Sequence, residues 1–216
     1  MDAATAGTIS GKVVFKGTPP AMPAIDMSSN PQCERSHKTA AKAETVLVNP
    51  DGSLRNVFIW IKSGLPAGKW AVPTTTVRFD QDGCVYSPHV VGLMTGQTLE
   101  IYNSDPVNHN VHAESKVNKA WNFSEPPKAE HISKTFDSPE VLFAMSCSVH
   151  PWMRAYVGVS PHPFFAVSGD TGSFELKGVP PGTYVVEAVH EKFGRKEATL
   201  TLEPSGKATL EFSYGS

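Results

Sequence analysis

Apolar residues recur at every second position in the last quarter of the chain, a period that fits strands and not helices. In GDTGSFELKGVPPGTYVVEAVHEKFGRKEATLTLEPSGKATLEFSY the pairs Phe174/Leu176, Leu200/Leu202 and Leu210/Phe212 sit two apart. Side chains alternate across a strand, so each pair lines one face of a sheet. About four strands fit this stretch. Pro181-Gly182 suits the centre of a type II turn, with glycine at the position of positive φ. Shorter runs of the same kind lie upstream: Ile9, Val13 and Phe15 in GTISGKVVFKG, Leu99 and Ile101 in GQTLEIYN, and Ala155, Val157 and Val159 in MRAYVGVS. LRNVFIWIKSG is more continuously apolar, as expected of a strand buried on both faces. Helical character is confined to NPQCERSHKTA, where Asn30 suits an N-cap and Pro31 the first helical position. The expectation is an all-β chain with strands at the spacing of a sandwich.

The chain has 216 residues, enough for one large domain or two small ones that bury a core. Formal net charge is −2 and the basic residues are scattered, so no basic field exists for nucleic acid. No apolar run approaches the roughly 18 residues of a membrane span. MDAATAGTISG lacks the basic start and apolar stretch of a signal peptide. The chain is therefore either cytosolic or one whose signal has been removed, and the turn-rich, modestly charged composition favours the second reading, a periplasmic or extracellular protein. Cys33, Cys84 and Cys147 make an odd count, which leaves one thiol over in an oxidising compartment. A Cys33–Cys84 disulfide would close a loop of about 50 residues and stabilise by about 4 kcal/mol in the chain-entropy model. The alternative is three reduced cysteines buried as small hydrophobes.

Most His, Met and Cys residues fall between residues 82 and 160, and AMSCSVHPWM holds the densest set. Cys147, His150 and Met153 offer thiolate, imidazole and thioether at intervals of three. One more imidazole would complete two His and one Cys with a weak axial Met, the donor set of mononuclear electron-transfer copper. Methionine is not a usual zinc ligand, and no CxxC or HExxH occurs. Pro151 disfavours the α region at His150, which keeps the loop short and extended. NSDPVNHNVHAES supplies two candidates for the missing imidazole, His109 and His112. Residues three apart on a strand point to opposite faces, so regular β structure admits only one of them.

Two resemblances follow from these motifs. HNVHA followed by CSVHPWMRAYVGV looks like the cupredoxins, and most like their amicyanin and plastocyanin-like members, with YSPHVVGLMTGQTLEIYNSD resembling their entry strands. The resemblance implies one Cu(I)/Cu(II) ion held by His109, Cys147, His150 and Met153. It implies that Asn110 hydrogen-bonds near Ser148 and joins the two ligand loops, and that His150 is partly exposed between Pro151 and Trp152. His112 matches a non-ligand histidine; His112 and His89 stand as candidates for an extra ligand. Trp152 replaces a phenylalanine of the pattern. GDTGSFELKGVPPGTYVVEAVHEKFG resembles the carboxypeptidase regulatory-like family, a small transthyretin-like sandwich. Together they imply a Greek-key cupredoxin sandwich over 76–160, inserted in or packed beside a regulatory-like sandwich formed by 1–75 and 161–216.

The function implied is one-electron transfer between redox protein partners, without enzymatic activity. A Cu(I) carrier or sensor, a cupredoxin module outside electron transfer, and a metal-free adhesion or carbohydrate-binding sandwich are the other readings. Nitrite or dioxygen chemistry would need an open coordination position and usually a second metal, for which only His112 and His89 remain.

Overall fold

The structure is a computed structural model that describes residues 5–215. Among the described residues the chain forms sixteen strands and one short helix. In chain order these begin with β1 (Gly7–Lys16), α1 (Pro31–Arg35), β2 (Phe58–Ser63), β3 (Val77–Gln81), β4 (Tyr86–Ser87) and β5 (Val90–Met94). There follow β6 (Leu99–Asn103), β7 (His109–Ala113), β8 (Trp121–Glu125), β9 (Ile132–Lys134), β10 (Glu140–Ser146) and β11 (Arg154–Ser160). The last are β12 (Phe165–Val167), β13 (Ser173–Val179), β14 (Gly182–His190), β15 (Gly194–Leu202) and β16 (Lys207–Gly215). The chain is all-β, as the period-two alternation requires.

The chain divides into two compact units. One comprises residues 5–21, 45–71 and 162–215. Its sheets run β13-β1-β16 and β12-β2-β14-β15. Ile9, Val13, Ile59, Ile61, Leu176 and Val186 are among its buried side chains. β1 pairs parallel with β16 and antiparallel with β13. Gly11 is required there by close approach: a Cβ would lie 2.1 Å from the Leu210 carbonyl oxygen and against the Phe174 ring. The expected turn at Pro181-Gly182 takes another form. Gly182 already pairs with Leu202 in the β14–β15 ladder, so it stays extended, and the positive φ falls at Gly178 (71°).

The other unit comprises Met22–Glu44 and Val72–Pro161. Its sheets run β5-β11-β10-β7-β8 and β4-β3-β6-β9. Phe79, Tyr86, Leu93, Leu99, Ile101, Val111, Met145, Val157 and Val159 share one core, each such side chain worth roughly 1.5–3 kcal/mol relative to exposure. Residues 22–44, read from sequence with 1–75, are part of this unit. The reason is apolar and covalent: Met27 and Cys33 are buried in its core, and Cys33 is disulfide-bonded to Cys84. Asn30 and Pro31 start α1 as their residue types suggest, with the Asn30 side chain accepting from the backbone N–H of Gln32 and Cys33.

Candidate metal centre

β7 and β10 are antiparallel neighbours, and their ladder ends at Ser146↔His112. Beyond it the strands part, and side chains continue the connection. Asn110 Oδ1 accepts from the Ser148 N–H at 3.0 Å, so the start of β7 and the loop after β10 stay together. His109 opens β7 and Cys147 directly follows β10, which brings both to the same end of the sheet. The loop from Cys147 to Met153 is closed by two backbone bonds. Met153 N donates to the His150 carbonyl at 2.9 Å, and Cys147 N donates to the Met153 carbonyl at 3.3 Å. The His150 N–H also points at the Cys147 sulfur, 3.4 Å away.

The donor atoms converge. One nitrogen each of His109 and His150 lies with the Cys147 sulfur within a mutual 4.8 Å. The two Nδ1 atoms face each other at 2.9 Å, and Cys147 Sγ is 3.9 Å from His150 Nδ1. His109, His150 and Cys147 are 0%, 2% and 4% exposed. Met153 is buried in the same core cluster as Cys147. Two further groupings of ligand atoms overlap this place, Cys33/Cys84/His150 and Cys84/Asp105/His109. Their sulfurs belong to the disulfide, which leaves Cys147 as the free thiol. Two imidazole nitrogens and one thiol, each turned inward, fit a borderline-soft ion such as copper.

The outer nitrogens are tied back. His109 Nε2 donates to Asp105 Oδ2 at 2.8 Å. The same carboxylate also accepts from the Gly83 and Cys84 N–H groups, both at 2.7 Å. Gly83 and Cys84 have positive φ (67° and 55°), which aims successive N–H groups at one carboxylate. On the other side, His150 Nε2 lies 2.8 Å from Asn30 Nδ2 and 3.6 Å from Cys33 Sγ.

Electrostatics favour a ligand-ready thiol. Burial would push the Cys147 pKa up, but the His109 ring and the backbone N–H groups of His150, Val149 and Asn110 outweigh it and hold it below the usual thiol value. Burial would lower His109, yet its bonds to Asp105 and Cys147 keep it above the ordinary imidazole value. His150 is held below that value by burial and by the neighbouring His109 charge.

His150 departs from the partial exposure that the resemblance implied. Asn30 and Cys33, more than a hundred residues away in sequence, cover its outer edge. Trp152 is half-buried, its ring 5.1 Å from the His150 ring, and its indole N–H donates to the Cys84 carbonyl at 2.9 Å. Ser148, Val149 and Pro151 form the exposed part of the loop, Val149 at 50%. His112 points away from His109 on β7, whose burial alternates strictly. His89 stacks edge-on against Tyr156 and lies 3.8 Å from Glu44. Neither joins the donor cluster. Asp105 and Asn30 were not readable as site residues. Asp105 looks like a turn residue before Pro106, and Asn30 like a helix cap alone.

No family model and no curated protein matches the chain. Solved structures do resemble part of it. A purple cupredoxin from Nitrosopumilus maritimus is 22% identical, covering 39% of this chain and 99% of its own, with a TM-score of 0.34. A Cu(I) structure of an amicyanin mutant is 24% identical, covering 47% of this chain and 98% of its own, at 0.35. A copper-containing nitrite reductase from Thermus scotoductus SA-01 is 23% identical, covering 45% of this chain but 25% of its own, at 0.34.

Beside the site, His109 pairs across the ladder with Glu125 of β8. Glu125 is buried, and Gln81 Nε2 donates to one of its carboxylate oxygens. Glu125 Oε1 and Gln81 Oε1 have no hydrogen-bond partner among the described residues. Burial raises the Glu125 pKa above its ordinary 4.5. The folded state therefore holds this proton when the unfolded state has released it, and stability falls as pH rises from 4.5 through the raised value. Glu125→Gln keeps the shape and adds a donor for the Gln81 oxygen. We expect it to raise stability at pH 7 by about 1 kcal/mol, since orphaned buried groups cost roughly 1–3 kcal/mol. The gain should vanish near pH 4. Thermal unfolding of metal-free protein at both pH values checks this, and an equal effect at both would refute the assignment.

Proposed function

We propose that this chain is a periplasmic or extracellular mononuclear copper protein that passes single electrons between redox protein partners. One observation carries the reading: two imidazole Nδ1 atoms and a buried thiol converge, while both outer imidazole nitrogens are held by other side chains. His109, Cys147, His150 and Met153 would hold the ion. Copper would supply one-electron chemistry there. Four protein ligands keep no position open for a substrate, so the reading is a carrier and not an enzyme. Asn110, by tying Ser148 to β7, fixes the thiol against the histidines, and a rigid site suits electron transfer because little must rearrange. The disulfide supports an oxidising compartment. The unit of Val72–Pro161 with Met22–Glu44 would be the copper module and the other a regulatory-like scaffold. Partner docking would use the Val149, Pro151 and Trp152 face beside the covered His150.

Adding Cu(II) to the purified chain should produce an intense thiolate-to-copper band and a mononuclear EPR signal. Both should disappear in Cys147→Ala. A colourless copper complex, or full zinc occupancy with no copper uptake, would sink the proposal.

A further inference from the structure

Both ends of the donor cluster lead back to one disulfide. Asn30 Oδ1 accepts from the Cys33 N–H at 3.4 Å and the Gln32 N–H at 3.2 Å, while its Nδ2 contacts His150 Nε2. Asp105 Oδ2 accepts from the Cys84 N–H and also from His109 Nε2. Each half-cystine thus holds, by its own backbone N–H, the side chain that holds one ligand histidine. The half-cystines are bonded to each other with Cα atoms 5.5 Å apart. Trp152 closes the arrangement by donating to the Cys84 carbonyl.

We propose that the Cys33–Cys84 disulfide, through Asn30 and Asp105, is the frame that aims both ligand histidines, with Asn30 the positioning residue for His150. The inference rests on the copper reading for its metal consequences but not for its geometry. A bond at the outer nitrogen of a ligating histidine fixes ring orientation, and fixes the tautomer as well where the partner accepts. Asp105 accepts at His109 and sets both, whereas the Asn30 NH₂ donates at His150 Nε2 and sets orientation alone. An ordinary loop histidine would turn about its side-chain torsions. His150 cannot turn without breaking the Asn30 contact, and Asn30 cannot follow without uncapping α1. The staple converts two loops distant in sequence into one rigid outer shell.

Two substitutions separate positioning from mere structure. Asn30→Ser keeps an N-cap oxygen but is too short to reach His150. Asn30→Asp keeps the cap and presents acceptors alone to Nε2, which leaves Nδ1 bare for a metal. In the metal-free full chain, ¹⁵N NMR of the His150 ring should report one ring tautomer in the wild type and exchange-averaged signals in Asn30→Ser. With copper loaded, Asn30→Ser should lose the ion to a chelator on the order of 10–100-fold faster, the range seen when such outer partners are removed. Asn30→Asp should hold copper at least as tightly as the wild type, because its acceptor moves the His150 ring proton from Nδ1 to Nε2. Wild-type ring signals and copper loss in Asn30→Ser would overturn the frame while leaving the copper reading intact. If the wild type takes up no copper, that reading fails, and the metal-free NMR comparison still decides the frame.

Discussion

Asp105→Asn should weaken copper binding by about 10–100-fold, the usual effect of removing an outer partner from a ligating histidine. The carboxylate is buried and accepts three N–H groups, from His109, Gly83 and Cys84. Burial works against its charge, but those bonds outweigh it and hold its pKa below the ordinary 3.8. An acceptor at Nε2 forces the His109 proton there and bares Nδ1 for the metal. An amide offers one oxygen and one NH₂ in place of two oxygens. Asp105 Oδ2 serves both the Cys84 and His109 donors and Oδ1 serves Gly83 alone, so the amide oxygen settles at the Oδ2 position and NH₂ meets the Gly83 N–H. His109 then keeps a neutral acceptor in place of a charged one, and the two facing donors at Gly83 push the side chain out of its place. Competition titrations of wild type and variant against a copper chelator measure the loss. Affinity within about twofold of wild type, far under the expected range, would show that the Asp105 charge does not support His109 as a ligand. The depressed Asp105 pKa also means that its share of folding stability is present above pH 3.8 and is lost as pH falls through the folded value. Metal-free Asp105→Asn should therefore show a shallower loss of stability on acidification.

Cys147 and His150, whose donor atoms the structure brings together, stood out in the sequence because they lie three residues apart in one short stretch with Met153, and those residue types are unusual together. A thiolate, an imidazole and a thioether together are the donor types that suit copper better than zinc. The all-β architecture was legible for a similar reason: period-two alternation is a local signal. What the sequence hides is long-range. Asn30 is a recognisable cap, since Pro31 follows it, but a cap uses only the amide oxygen. Nothing local shows that the NH₂ end meets a histidine 120 positions away. Asp105 stands four residues before His109, a spacing that brings side chains together on a helix. Here the intervening chain is a turn into a strand, so the contact depends on where the turn at Gly83 and Cys84 places its N–H groups. The exposure of His150 could not be read for the same reason. The loop motif fixes its neighbours in sequence, whereas its cover comes from residues 22–44. The bridge from Cys33 to Cys84 puts that segment in the same unit as the site.

Removing that bridge carries the largest expected effect on the fold. Cys33→Ser/Cys84→Ser should lower the unfolding free energy of the unit that contains it by about 4 kcal/mol, the chain-entropy figure for a loop of this size. The half-cystines are 51 residues apart, and both are buried in the shared core. Without the bond, residues 22–44 keep only modest anchors. These are the one-turn α1, the short backbone pairings of Ile25 with Ala41 and Ala43 with Pro23, the His37 Nε2 contact with the Gly83 carbonyl at 2.6 Å, the Asn30 contact with His150, and the buried Met27. A helix of five residues has little stability of its own. The loss should therefore appear locally before it appears globally. The variant's 22–44 segment should be cut by protease under conditions where the strands of the same unit remain protected, and its denaturant midpoint should fall well below that of wild type. The wild type treated with a strong reductant under mild denaturation should converge on the variant. A midpoint shift worth less than about 1 kcal/mol, far under the entropic expectation, would mean that packing of Met27 and the cysteine side chains holds the segment. The disulfide would then be a consequence of the fold and not a support for it.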